Sequence, residues 1–166
     1  MSGTTHDDSD RHLGYSTALG PNAEFEADLE CALTNTAPVL ITGPAEVTAA
    51  VAARIHRNSL NRKGAFLTVD CGRMQQPEQL ETVFDSAAPR GTVFLRDVDR
   101  LPASLQSLLF FRIVPLGVRV IAATSVSLLA AASHGQFDER LFYRLNQIHL
   151  MTEQPRPVAG MPRAHD

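Results

Sequence analysis

A chain of 166 residues, 44% hydrophobic and 20% charged, has room for one ordinary domain and too little for two with independent cores. Its net charge of -3 excludes a bulk attraction to nucleic acid or an anionic membrane, so neither is expected as a direct partner. No apolar run approaches the ~20 residues of a spanning helix, the start "MSGTTHDDSDRH" is no secretory signal, and the expected location is cytoplasmic.

Residues 1–13 lack apolar periodicity and are expected as a disordered N-terminal tail. "EFEADLECALT" follows as a helix, its Cys31 belonging to no CxxC pair; Cys71 is equally isolated, so free thiols and no metal site are expected. "PVLIT" (38–42) is the first of five apolar or β-branched runs, the others being "AFLTVD" (65–70), "TVFLRD" (92–97), "RVIAAT" (119–124) and "QIHLM" (147–151). They start about 27 residues apart, which leaves room for a helix in each gap, and their apolar positions are successive rather than alternating. The first gap places Val47, Val51 and Ile55 on one face of an alanine-rich helix and ends in the basic cluster "RIHRNSLNRK" (54–63), which complements a helix dipole. "PEQLETVFDSA", "PASLQSLLFFRI" and "SLLAAASHG" supply the later helices. The end, residues 152–166, carries three prolines and is expected as a disordered tail. The fold class is α/β: a three-layer sandwich around a mainly parallel five-stranded sheet, with the ordered domain spanning 14–151.

In open parallel sheets, ligands bind where strand ends lead into helix N-termini. The segment after "PVLIT" occupies that place but lacks the chemistry of GxxxxGK[ST]: Gly43 is followed by Pro44, Ala45, Glu46, Val47 and Thr48, with no lysine to neutralise phosphate. Pro44 suits the first helical position and removes an N–H donor, while the Glu46 carboxylate repels an incoming phosphate. Thr48 has the hydroxyl that a magnesium ion uses in such loops, but a threonine in an alanine-rich helix reads first as an ordinary helical residue. Asp97 and Asp99 form a D-x-D at a strand end; flanked by Arg96 and Arg100, they read as a locally paired charged rim.

The strings "PVLITG", "VAARIHRNS", "KGAFLTVDCG", "GTVFLRDVDRLPASLQSLL", "VRVIAAT" and "GQFDERLFYRLNQIHL" come in the order and spacing of the central AAA+ domain of sigma-54-dependent transcriptional activators, which the chain resembles from Gly14 to Met151. The resemblance implies a P-loop NTPase core of the AAA+ type. Departures fall on the chemistry. The GESGTGKE loop of the family is replaced by residues 43–50, with Gly43 as its relic, and the Asp-Glu pair that serves magnesium and water reads Arg96-Asp97. A guanidinium beside a divalent ion is electrostatically penalised, and Asp97 keeps a carboxylate without a metal-nucleotide to act on.

Ser125 stands at the sensor asparagine, and of the two arginines that the family offers to a neighbouring subunit's nucleotide, the first falls on Asp138 and the second on Arg144. The 19 residues between Cys71 and Gly91 are too few for the insertion carrying GAFTGA, the loop that touches sigma-54. The helical lid is not seen after residue 151, so a core without lid is expected.

The expected function is therefore a non-catalytic, transcription-related regulatory or protein-interaction module, a pseudo-ATPase with degenerate Walker motifs and no cofactor. Its expected partner is an intact AAA+ activator or the chain itself. The competing reading is residual ATP and Mg²⁺ binding, or weak ATPase activity, at the Gly43 helix start. Arg144 either reaches a ring neighbour or is a solvated residue on a helix whose Leu141, Phe142 and Leu145 fill the core.

Overall fold

The structure, a computed structural model, describes residues 21–113, 117–153, 155–156 and 158–160. The five apolar runs are β1 (Val39–Thr42), β2 (Phe66–Asp70), β3 (Thr92–Arg96), β4 (Arg119–Thr124) and β5 (Ile148–Met151), each bound within one residue of expectation. All pair in parallel in the order β2-β3-β4-β1-β5.

Helices α1 (Pro21–Thr34) and α2 (Ala45–Asn58) cover one face of the sheet; α3 (Pro77–Ala87), α4 (Ala103–Arg112), α5 (Leu128–Ser133) and α6 (Glu139–Leu145) cover the other. Neighbouring strand residues point to opposite faces, and in the central strands β1, β3 and β4 both faces are buried. Ile41, Phe94 and Ile121 pack under Leu29, Ala32, Ala52 and Ile55. Leu40, Leu95 and Ala122 pack under Leu80, Leu105 and Leu141. This two-sided burial explains why the strands are apolar at successive positions.

The buried face of α2 matches the expected one at Ile55 and, at its edge, at Val51, but not at Val47, which is 42% exposed; Thr48, Ala52 and His56 complete the stripe against the sheet. Alanine lets the helix approach the sheet closely at position 52, and His56 is accommodated because its Nδ1 lies 2.9 Å from the Thr92 hydroxyl. The basic cluster 54–63 also has a structural part: the Asn61 side-chain amide donates toward the carbonyls of Arg90, Gly91 and Gly117, tying the end of α2 to the segments that enter β3 and β4.

The expected N-terminal tail, residues 1–13, lies outside the described residues. Within the expected C-terminal tail, Thr152 donates its N–H to Thr42 O at 2.9 Å, and Arg156 forms a parallel bridge with Val126. Val158 packs against the α3–α6 core, and residues 154, 157 and 161–166 lie outside the described set. Among the described residues, no helix is long and apolar enough to cross a membrane.

Candidate functional site

β1 leads into α2 on one face of the sheet and β4 leads into α5 on the other, so their carboxyl ends bound the place where an open parallel sheet receives a ligand. Gly43 follows β1 and donates its N–H to Thr124 O at 3.0 Å. Pro44, at φ -61° and ψ 147°, is the cap of α2 rather than its first helical residue. It contributes no donor; its carbonyl accepts from Thr48 N at 2.9 Å, and the buried Thr48 hydroxyl donates to Ala45 O at 3.1 Å. The first turn of α2 is thus closed by its own chain, with Thr48 turned to its own backbone.

Asp97 follows β3 in a left-handed conformation, φ 49° and ψ 51°, and opens the single turn Val98–Arg100. Asp tolerates this region better than most L-residues because its short side chain is able to bond locally, although the Asp97 side chain makes no cap bond to the turn it opens. Asp99 accepts a 2.7 Å hydrogen bond from the Thr124 hydroxyl. The expected charged pairing does not form: among the described residues no ion pair joins Arg96 or Arg100 to Asp97 or Asp99. Arg96 is the exposed end of its strand, whereas Asp99 turns toward β4 to meet Thr124.

Gly43, Asp97, Arg96, Thr48 and Thr124 line one corner, whose cavity is about 10 Å³, room for one water at most. The segment after β5 crosses this end of the sheet. Both the N–H and the hydroxyl of Thr152 donate to Thr42 O, at 2.9 and 3.1 Å, and a Cβ at Gly43 would overlap the Thr152 hydroxyl. Farther along, Arg156 N donates to Ser125 O at 2.7 Å and Ser127 N donates to Arg156 O at 3.4 Å. Of the sequence-predicted positions, Gly43 and Asp97 share the corner, and Ser125 anchors the crossing segment through its backbone.

Arg144 is elsewhere. Its guanidinium lies 4.6 Å over the Phe110 ring, with Arg140 at 5.3 Å from the same ring, and it lines a second cavity at the amino ends of β1 and β4. Leu141, Phe142 and Leu145 are buried. Asp138 caps α6, accepting from Arg140 N at 2.8 Å and Leu141 N at 3.2 Å. The Arg140 side chain, 3.0 Å away, and these backbone donors hold the Asp138 carboxyl below its usual range. An aspartate at 138 is therefore accounted for as a helix cap.

Sequence reasoning missed Thr152, which acts through its N–H and its hydroxyl, and Arg156, which acts through backbone groups that composition does not encode. It also missed Arg119, a charged first residue of a strand that is fully buried. Among the described residues, no group of three or more His, Cys, Asp or Glu side chains is placed to hold a metal ion.

A family model described as the Sigma-54 interaction domain matches residues 17–153. The chain is similar to the sigma54-dependent transcriptional activator SfnR of Pseudomonas putida, 29% identical over 172 residues, covering 82% of this chain and 47% of SfnR. It is similar also to the regulatory protein AtoC of Escherichia coli strain K12, 34% identical over 148 residues, covering 69% of this chain and 32% of AtoC. The chain thus spans less than half the length of either relative. Among solved structures, NtrX from Brucella abortus superposes with a TM-score of 0.67 at 24% identity, covering 84% of this chain and 38% of that one. The P-loop NTPase domain of the sigma-54 transport activator from Escherichia coli gives 0.58 at 19% identity, covering 72% and 98%. These two likenesses establish the fold, a P-loop NTPase core.

Proposed function

The chain belongs to the sigma-54 interaction domain family, and from that premise we propose that it is a non-catalytic member: a pseudo-ATPase that acts as a transcription-related regulatory module through protein contacts. One observation carries the reading: the corner at Gly43, where the fold would receive phosphates, has a cavity of about 10 Å³ and a wall against the chain's own Thr152. A triphosphate and its metal do not fit such a space, and Arg96 in its wall opposes a divalent ion. Pro44 supplies no N–H, and residues 43–50 supply no lysine.

The protein-contact part is supported by α4 and α6, which leave Phe111 and Tyr143 65% and 56% exposed; the Phe110 ring, 5.3 Å from that of Phe111, lies under Arg140 and Arg144. Aromatic residues and arginine are the side chains enriched where protein partners bind. The partner is an intact AAA+ activator or a second copy of the chain.

Thermal denaturation with ATP and Mg²⁺ at millimolar concentration tests the loss of nucleotide chemistry. A ligand bound only to the folded state raises Tm by mass action, and no shift is expected. A saturable shift abolished by Asp97→Ala but not by Arg144→Ala would overturn the reading in favour of a residual ATP site. Sedimentation of the chain, alone and with an activator homologue, tests the contacts. A strictly monomeric chain that leaves the homologue unbound counts against the proposed partners.

A further inference from the structure

The loops that enter the strands carry no acidic residue at 35–38, 59–65, 88–91 and 146–147, and at the amino ends of β2 and β3 the charge is wholly basic. Arg57, Arg62, Lys63 and Arg90 are exposed there, and among the described residues no ion pair holds any of them. Leu60, 67% exposed, stands in the same turn and lines one cavity with Lys63 and Arg90. The turn is fixed: Asn61 ties it to the carbonyls of Arg90, Gly91 and Gly117, and Gly64 lies so close to the Arg90 carbonyl that a Cβ there would overlap it. The result is an apolar knob among cations.

The diagonally opposite corner has the complementary chemistry. β2 and β5 are the two edges of the sheet. Where the first half of α1 meets the carboxyl end of β5, a cavity of about 610 Å³ is lined by Glu24, Asp28 and Glu153, with Phe25 and Met151 as apolar surface and no lysine or arginine in its described lining. Among the described residues none of the three carboxylates has an ion-pair partner. His149 lines it too; burial lowers its pKa against an opposing effect from Asp28, so it is neutral at pH 7 and leaves the carboxylates uncompensated. Base with apolar surface at one edge and pole, acid with apolar surface at the other: the two cannot meet within one chain.

We propose that these surfaces form a head-to-tail contact between copies of the chain, Leu60 of one copy entering the α1–β5 cavity of the next while the cations beside it face Glu24, Asp28 and Glu153. This rests on the protein-contact reading above and assigns its surfaces for a second copy. Opposite charges set the register and disfavour other pairings, and the apolar knob supplies an anchor that leaves water. A contact between two different patches leaves a free knob at one end and a free cavity at the other, so association continues past a dimer. The partner of the basic turn is a protein rather than nucleic acid, because residues 57–65 and 88–91 hold no aromatic side chain to stack on a base, and Leu60 offers a phosphate nothing.

Sedimentation velocity of the whole chain over a wide range of concentrations tests the contact. The parent is expected to grow past a dimer at low salt and to associate less at high salt, where exposed charges are screened. Leu60→Ser combined with Lys63→Ser removes the knob, and Glu24→Arg combined with Glu153→Arg reverses the cavity. All four positions are exposed, so each variant should keep the parent's Tm while staying monomeric. Mixed together, the two variants should form a one-to-one dimer and stop there, because one intact knob and one intact cavity remain. A mixture that stays monomeric, or association unchanged in either variant, would overturn the proposal. A parent that is monomeric yet binds an activator homologue, or association that survives both variants and is lost in Phe111→Ser, would overturn this contact alone and leave the regulatory-module reading standing. Binding of a random-sequence DNA duplex that the knob variant loses, without self-association of the parent, would overturn it in favour of a nucleic-acid surface.

Discussion

Replacing Gly43 with alanine tests whether Thr152 closes tightly against Gly43. The new Cβ would overlap the Thr152 hydroxyl and sit 3.2 Å from Thr152 Cβ. Thr152 must then move, losing its hydroxyl bond to Thr42 O and, if the segment lifts, the backbone bond to the same carbonyl. At about 1 kcal/mol for each intramolecular hydrogen bond, the lost contacts amount to roughly 2 kcal/mol. The backbone at Gly43, φ 157°, adds its own cost for any side chain. Urea unfolding of the parent, Gly43→Ala, Thr152→Gly and the double variant separates the two effects, because the backbone cost appears in both backgrounds and cancels. A coupling of about 1–2 kcal/mol is expected, with alanine better tolerated once Thr152 is glycine. A coupling within about 0.5 kcal/mol of zero would refute the steric account.

Asp97 sits in left-handed backbone, so Asp97→Gly should raise the urea midpoint by an amount equivalent to about 0.5–1 kcal/mol, while Asp97→Val should lower it; the reverse order would sink the strain argument. Two histidines set an acid limb. Desolvation, with Arg57 adding to it, lowers His56, and desolvation lowers His149 against an opposing effect from Asp28. Below about pH 6.5 the unfolded chain therefore binds more protons than the folded one, and these residues' contribution to stability is lost as pH falls through that window. The urea midpoint should fall from pH 7.5 to pH 5.5, and the fall should shrink in His56→Gln; an unchanged slope would remove His56 from the explanation.

Strand positions were legible because a strand covered on both faces must be apolar at consecutive residues, a signal that survives in "PVLIT" and "RVIAAT" without neighbours to compare. The face of α2 was legible at Ile55 and, in part, at Val51, but not at Val47. In "AEVTAAVAARIHRN" alanines dilute the periodicity, and the reading chose the larger Val47 and Val51 over Thr48 and Ala52, although closeness to the sheet favours the smaller side chains. At the candidate site, the lack of lysine and the substitutions at 96 and 97 could be read directly. The path of residues 152–156 could not, since backbone bonds at Thr152 and Arg156, with the Thr152 hydroxyl, place it, and "TEQPRP" has the composition of a loose end. Arg119 illustrates another limit: a charge at a strand start is unremarkable in sequence, and only its environment shows three nitrogens without partners.

Thr152 follows β5 directly, so whatever it contributes to the Gly43 corner is tethered there by a single peptide bond. A tethered occupant acts at a local concentration set by its leash, and the shortest leash gives the least freedom to leave. If its two bonds to Thr42 O are worth about 2 kcal/mol together, the segment beside Gly43 is lifted roughly one part in thirty. Changes elsewhere that loosen β5 would raise that fraction without touching the corner itself, so the edge of the sheet sets how firmly Gly43 is covered.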